Sequence, residues 1–257
     1  MDESLVLRES HESIGLIRLN RPEALNALSP AMLAAICDAL EAFDAEEAIR
    51  VIIMTGSERC FAAGADIQAM AGASPSDMVR LNTLSYWQRM GRISKPVIAA
   101  VSGFAFGGGC ELAMLCDLIV ASETAQFAQA EVRLGIIPGA GGTQRLAKAI
   151  GPYRAMEMVL TGEPIGAQDA AAFGLVNRVV PVERFLDEAF ELARLIASRP
   201  PVAVRLAREA LRHGVETTLR EGMLVERRNF YLTFDSEDQK EGMKAFLEKR
   251  SPKFTGR

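Results

Sequence analysis

Histidine is scarce in this chain. The 257 residues include two, His11 and His213, far apart in sequence, which leaves no material for a multi-histidine metal centre. The four cysteines, Cys37, Cys60, Cys110 and Cys116, form no CxxC pair, so reduced thiols are expected rather than a disulfide framework. Neither sign of charge dominates: 29 Lys+Arg stand against 33 Asp+Glu, a formal net charge of −4. Such a balance lacks the basic footprint of a nucleic-acid partner or an anionic membrane surface. There is also no long uncharged apolar run. The most apolar window, Val97 to Ala121, is interrupted by Glu111, Asp117 and several glycines, which argues against a membrane span. The opening Met-Asp-Glu-Ser has no signal-peptide pattern, and a soluble, cytoplasmic protein is expected.

The common catalytic signatures are missing as well. There is no GxSxG, no HExxH, and no lysine followed by Ser or Thr as a Walker loop requires. Gly139-Ala140-Gly141-Gly142 approaches GxGxxG but has Gln144 in place of the last glycine.

What the chain does have is 49% hydrophobic residues, enough for a sizeable core, arranged in alternating patterns. Leu5–Arg8 and Ile14–Leu19 read as strands, and Val51–Met54, Val97–Val101 and Asp117–Ala121 as buried strands. Ser29-Pro30 supplies an N-cap and a first-turn proline for a helix carrying Leu33, Ile36, Leu40 and Phe43 on one face. Pro75 to Arg92 reads as one long helix. Strands alternating with helices predict an α/β core. After Pro181 only helical periodicity remains, and Pro200-Pro201 interrupts it. A division into residues 1–197 and 198–257 follows, with a loose polar tail from Ser251 to Arg257.

An internal echo stands out. Phe61-Ala62-Ala63-Gly64 and Phe104-Ala105-Phe106-Gly107 share Phe-Ala-x-Gly, each after a buried strand and each placed to open a helix. Two such units side by side would aim two backbone N–H groups at one point, although an Ala/Gly-rich chain also yields such a match by chance. The second copy continues into Gly107-Gly108-Gly109-Cys110-Glu111. One glycine suffices for a turn. Three, each costing roughly 1 kcal/mol in a helix relative to alanine, favour close approach of a ligand to exposed N–H groups. Glu111 lies in the first turn of an apolar helix, where a carboxylate needs a reason. Glu131 follows in Phe127-Ala128-Gln129-Ala130-Glu131, and spacing alone does not pair it with Glu111.

Taken together, Phe61–Ile67, Gly107–Leu112 and Ile137–Leu146 resemble the crotonase family, most closely its enoyl-CoA hydratases. Asn20-Arg21-Pro22, Leu25–Leu28, Leu160–Gly162 and Ala172–Val176 resemble further landmarks of that family in the same order, so the likeness runs from about Val6 to Lys249. The resemblance implies a spiral of ββα units with an all-helical C-terminal trimerisation region, assembled as a trimer or a dimer of trimers. It implies hydration of a trans-2-enoyl-CoA, with coenzyme A entering as part of the thioester substrate and no separate cofactor or metal. Ala65 and Gly108 match the backbone donors of the oxyanion hole, and Glu111 and Glu131 the two catalytic glutamates. Gly139 matches a residue that holds the water. Leu25, Ala63, Asp66, Ile67 and Gln68 match positions along coenzyme A, and Phe246 and Lys249 match residues reaching a neighbouring subunit's nucleotide. Ala130 and Gln68 depart from the proline and lysine often found there. Other readings are an enoyl-CoA isomerase, which can work with one carboxylate, and a non-catalytic binding or scaffold protein on the same fold.

Overall fold

The structure, a computed structural model, describes residues 4–257. The Met1–Glu3 opening therefore lies outside the described residues. Strands β1 (Val6–His11) and β2 (Ile14–Leu19) form an antiparallel hairpin, and α1 (Pro30–Ala45) follows, with Ser29 Oγ accepting from the Met32 N–H at 3.2 Å. Three strand pairs come next: β3 (Val51–Thr55) with β4 (Cys60–Ala62), β5 (Val97–Val101) with β6 (Phe104–Phe106), and β7 (Leu118–Ser122) with β8 (Gln126–Ala128).

With β9 (Ile165–Gly166) and β10 (Arg178–Val180) completing the set, the first strand of each pair joins a six-stranded sheet ordered β1-β2-β3-β5-β7-β10, and the second joins a four-stranded sheet ordered β4-β6-β8-β9. Within each sheet these successive strands run parallel. Each repeat thus advances both sheets by one strand, which is the spiral of ββα units expected above. The repeats carry α2 (Pro75–Leu81), α3 (Leu84–Gly91), α4 (Gly108–Leu115), α5 (Gly142–Ile150), α6 (Pro152–Thr161) and α7 (Ala167–Ala172), with β9 and β10 as edge strands.

Both faces of the larger sheet are covered. One faces α1, α4 and the smaller sheet, burying Ile52, Met54, Ala99, Phe61 and Phe127. The other packs Ile14, Leu16, Ile53, Ile98 and Val120 against Phe185, Ala189 and Leu192 of α8 (Phe185–Ala197). Two-sided burial explains why β3 and β5 read as continuous apolar runs rather than alternating ones.

Beyond α8 come α9 (Pro201–Glu216), α10 (Leu219–Thr233) and α11 (Glu237–Leu247). Asp117, just before β7, anchors α9: its carboxylate accepts from Arg208 Nε at 2.7 Å, from Arg212 Nε at 2.9 Å and from the Val97 N–H at 2.8 Å.

Three expectations change. The helix read over Pro75–Arg92 is broken at Asn82, which turns left-handed (φ +44°) and closes α2 through its N–H to the Met78 carbonyl. Of the two Phe-Ala-x-Gly copies, only the second opens an α-helix. The first leads into a short 3-10 turn, Ile67–Ala69, capped by Asp66. The tail is tied down, because the buried Asp238 carboxylate accepts from the Thr255 N–H at 2.7 Å and the Gly256 N–H at 2.9 Å.

Candidate active site

Successive ββα turns bring three loops to one end of the smaller sheet. They are residues 63–66 after β4, Gly107-Gly108 after β6 and Gln129–Glu131 after β8. Parallel pairing does this: strands in register deliver their following loops side by side. The Phe-Ala echo therefore reflects spatial neighbours. The repeat has a third copy, Phe127-Ala128, whose loop has Ala130 where the glycine would stand.

The first two loops present amides. A Cβ built on Gly108 would lie 3.5 Å from the Ala65 nitrogen, and one on Gly64 would lie 3.7 Å from the Gly108 nitrogen, so the two donor segments touch. The first loop is fixed by Leu28, whose N–H donates to the Gly64 carbonyl at 2.8 Å while its own carbonyl accepts from the Asp66 N–H at 3.4 Å. That pairing uses the amides on either side of Ala65 and leaves its own N–H without an acceptor among the described residues. Gly108 is the first residue of α4, where an N–H has no intrahelical partner. Two unspent donors at the positive end of a helix suit a carbonyl oxygen that gains negative charge.

The glycine triplet divides its work, which narrows the expectation that all three serve ligand approach. Gly107 adopts φ +50°, and a Cβ there would lie 2.9 Å from Glu131 Oε1. Gly109 faces inward, where a Cβ would overlap the Ala62 carbonyl oxygen of β4. Of the three, Gly108 is the one beside the Ala65 amide.

Both glutamates belong to this site. Glu111 is 3% exposed, in the first turn of α4. Its Oε1 accepts from the Ala140 and Gly142 N–H groups at 2.7 Å each, while Oε2 accepts no hydrogen bond from the described residues. Burial pushes its pKa up, and the Gly142 and Ala140 amides and then Arg145 pull it back. Glu131 opens a 3-10 turn, Glu131–Leu134, and its Oε2 is buried with no partner among the described residues. Burial pushes its carboxyl up to about 7; its own backbone amide opposes this, and the Glu111 charge adds to it. The environments differ: Glu111 is gripped on Oε1 by two loop amides, whereas Glu131 has no such grip and its Oε2 is buried without a partner among the described residues. That difference favours an ionised Glu111 facing a protonated Glu131.

Gly139 immediately precedes Ala140, and its own N–H makes no hydrogen bond among the described residues. Leu25 and Ala63 are brought together, with the Ala63 N–H donating to the Leu25 carbonyl at 3.0 Å. Asp66 is bound within the chain, its carboxylate accepting from Arg21 Nη1 at 2.8 Å, whereas Ile67 and Gln68 are exposed next to Ala65. Phe246 and Lys249 lie at the exposed end of α11, and no hydrogen bond or ion pair among the described residues joins them to the Leu25–Gln68 segment.

Two residues of the site were not anticipated. Arg145 donates to the Ala140 carbonyl at 2.7 Å, beneath the loop that grips Glu111. Gln129 is fully buried, both of its amide atoms lack a partner among the described residues, and its Oε1 fills the space a Gly142 Cβ would need. A polar residue directly after the buried Phe127-Ala128 of β8 is the available signal for Gln129; for Arg145 there is none.

A model of the enoyl-CoA hydratase/isomerase family matches residues 9–257. The mitochondrial enoyl-CoA hydratase of Pongo abelii is 49% identical over 247 residues, covering 96% of this chain and 85% of that protein. A probable enoyl-CoA hydratase of Rhizobium meliloti (strain 1021) is 49% identical over the full length of both. The crystal structure of an enoyl-CoA hydratase subunit from Geobacillus kaustophilus HTA426 superposes with a TM-score of 0.97 at 52% identity, covering 98% of each chain.

Proposed function

Since the chain belongs to the enoyl-CoA hydratase/isomerase family, we propose that it adds water reversibly across the C2=C3 bond of a trans-2-enoyl-CoA to give the 3-hydroxyacyl-CoA, with its own Glu111, Glu131, Ala65 and Gly108 as the working groups. The thioester oxygen sits between the Ala65 and Gly108 N–H groups, which stabilise the enolate-like charge that builds on it; each such donor contributes about 3 kcal/mol. Glu111, its Oε1 fixed by two amides, uses Oε2 to orient a water and takes its proton as the oxygen attacks C3. Glu131 gives its proton to C2 and is left ionised. Proton return from Glu111 through solvent restores the starting state, so the net reaction consumes one water. With both carboxyls at one end of the sheet, hydroxyl and hydrogen reach the same face, a syn addition. A carboxyl pair and two amides complete the chemistry without a metal or redox group, and coenzyme A arrives with the substrate.

The pairing of an amide-gripped Glu111 with a Glu131 that has no such grip carries this reading, because hydration needs a base and an acid where isomerisation needs one group. The Leu25–Ala63 contact and exposed Ile67 and Gln68 support a coenzyme A path beside Ala65, with Phe246 and Lys249 contributed by a neighbouring copy. The exposed apolar side chains Leu211, Leu219, Phe246 and Leu247 on and beside α9–α11 support assembly through the helical region, as a trimer or a dimer of trimers. No helix among the described residues is long and apolar enough to cross a membrane, which fits a cytoplasmic enzyme of acyl-CoA breakdown.

Crotonyl-CoA is the test substrate, followed by loss of the conjugated thioester's absorbance. Glu111→Gln and Glu131→Gln each lose roughly a hundred- to ten-thousand-fold in kcat while still binding acyl-CoA. Near-normal turnover by either variant removes that glutamate from the mechanism. No turnover by the unaltered chain with any enoyl chain length favours a non-catalytic role.

A further inference from the structure

We propose that Arg145 is a positioning residue for Glu111: it braces the turn whose two amides grip that carboxylate and places a positive charge beside it. The inference rests on the hydratase reading above. Arg145 lies on the first turns of α5, half-buried, and its Nη1 donates to the Ala140 carbonyl at 2.7 Å. The turn is built around it. Gly141 sits at φ +105°, and a Cβ there would overlap the Arg145 Nη1, so glycine is what lets the guanidinium reach the loop. The N–H groups on either side of Gly141, those of Ala140 and Gly142, then converge on Glu111 Oε1. One side chain thereby fixes the peptide orientation of the whole cradle.

Among the described residues no carboxylate pairs with Arg145, in contrast to Arg208 and Arg212, which share Asp117. The ionisable groups around this centre are few. Glu131 and Cys110 flank Glu111, while two charges from α9 act on Arg145, the like charge of Arg212 and the opposite charge of Glu216. Among the described residues Arg145 is the cation that bears on Glu111, and it favours the ionised form that a base requires.

The experiment compares the pH dependence of kcat/KM for crotonyl-CoA hydration in the unaltered enzyme and in Arg145→Met, Arg145→Gln and Arg145→Lys. Glu111 must be ionised to accept the proton of water, so its titration sets the acid limb. Loss of the positive charge raises that titration, and the limb moves to higher pH in the Met and Gln variants. Gln keeps a donor for the Ala140 carbonyl without the charge, and Lys keeps both, so Lys returns the limb to its original position. A purely structural brace lowers the rate at every pH and leaves the limb in place. An unmoved limb in a folded Gln variant, or one that Lys fails to restore, overturns the proposal. Should Met not fold, Gln and Lys decide alone. If the unaltered enzyme hydrates no enoyl-CoA, or Glu111→Gln turns over normally, the hydratase reading itself has failed, which is a separate result.

Discussion

Glu131 Oε1 lies 2.9 Å from where a Cβ on Gly107 would stand, so the hydrogen side chain of that glycine is the floor on which the carboxyl rests. Gly107→Ala adds a methyl to this floor at φ +50° and ψ −122°, a region outside the left-handed α basin that costs a non-glycine residue roughly 1–3 kcal/mol. The carboxyl end is the movable partner, so the backbone holds and Glu131 swings away. The expected outcome is a kcat reduced at least tenfold in a protein whose melting temperature falls by only a few degrees, measured by crotonyl-CoA hydration and calorimetry on the same preparation. Unchanged kcat would show that Glu131 does not need this seat.

The other two glycines of the triplet make opposite predictions. A methyl on Gly109 overlaps the Ala62 carbonyl oxygen, a backbone atom of β4 that cannot yield without displacing the strand. Gly109→Ala is therefore expected to cost about 3 kcal/mol or more, some 6 °C or more in melting temperature for a chain of this size. A methyl on Gly108 meets Leu28 Cδ1 at 3.4 Å and the Ala65 nitrogen at 3.5 Å, ordinary contacts that the fold absorbs. That methyl stands beside the oxyanion donors, so Gly108→Ala folds but binds and turns over the thioester poorly. Thermal unfolding and steady-state kinetics of the pair separate the two roles.

How far the sequence carried the reading depends on whether the deciding interaction was local. Ser29 and Pro30 mark a helix start through their own chemistry, and α1 begins there. The Phe-Ala-x-Gly echo pointed to two amides because the repeat unit itself is local. Its third copy at Phe127-Ala128 is hidden because Ala130 replaces the glycine and no spacing rule joins Glu131 to Gly107 across the neighbouring strands β6 and β8. The break at Asn82 also escaped, since asparagine permits a left-handed turn without demanding one. Its polarity predicts a loose tail, yet Asp238, seventeen positions before Thr255, supplies acceptors that no pattern near Ser251 announces. Arg145 had least chance of recognition: its role depends on a carbonyl five residues away and on a glycine that gives way to its guanidinium.

Asp117 provides a test of how the helical region is held. Its side chain is 15% exposed and receives Arg208 and Arg212, which are 11% and 30% exposed. Asp117→Ala leaves both guanidinium groups facing a site without a carboxylate, although each keeps a carbonyl partner: Ile93 for Arg208 and Leu115 for Arg212. Breaking a largely buried pair by removing one partner costs about 3–5 kcal/mol, and the remaining carbonyl bonds place this case toward the lower end. The expected result is a melting temperature lower by several degrees together with earlier proteolysis of residues 198–257 than of the core. Simultaneous loss of both regions would mean that the helices and the spiral unfold as one unit.

Stability and activity should respond to pH through Glu131 in the same window. Its carboxyl titrates near 7 in the folded chain against 4.5 for a free side chain, mainly because burial disfavours the charge. A raised acid binds its proton more tightly when folded, so the stability this supplies is complete below about 4.5 and is lost as pH rises through 7. Glu111 is shifted in the same direction, again mainly by burial. The carboxylates held low by their partners, Glu41, Asp66, Asp77 and Glu241, have finished ionising below this range and contribute no slope within it. The melting temperature should therefore fall between pH 5.5 and 8, and Glu131→Gln should flatten the fall without abolishing it. Activity of the unaltered enzyme should decline above neutrality over the same range, because an ionised Glu131 has no proton to give C2. Equal slopes in both proteins would mean that Glu131 is already ionised at pH 5.5, and the assignment of acid and base between the two glutamates would have to be reversed.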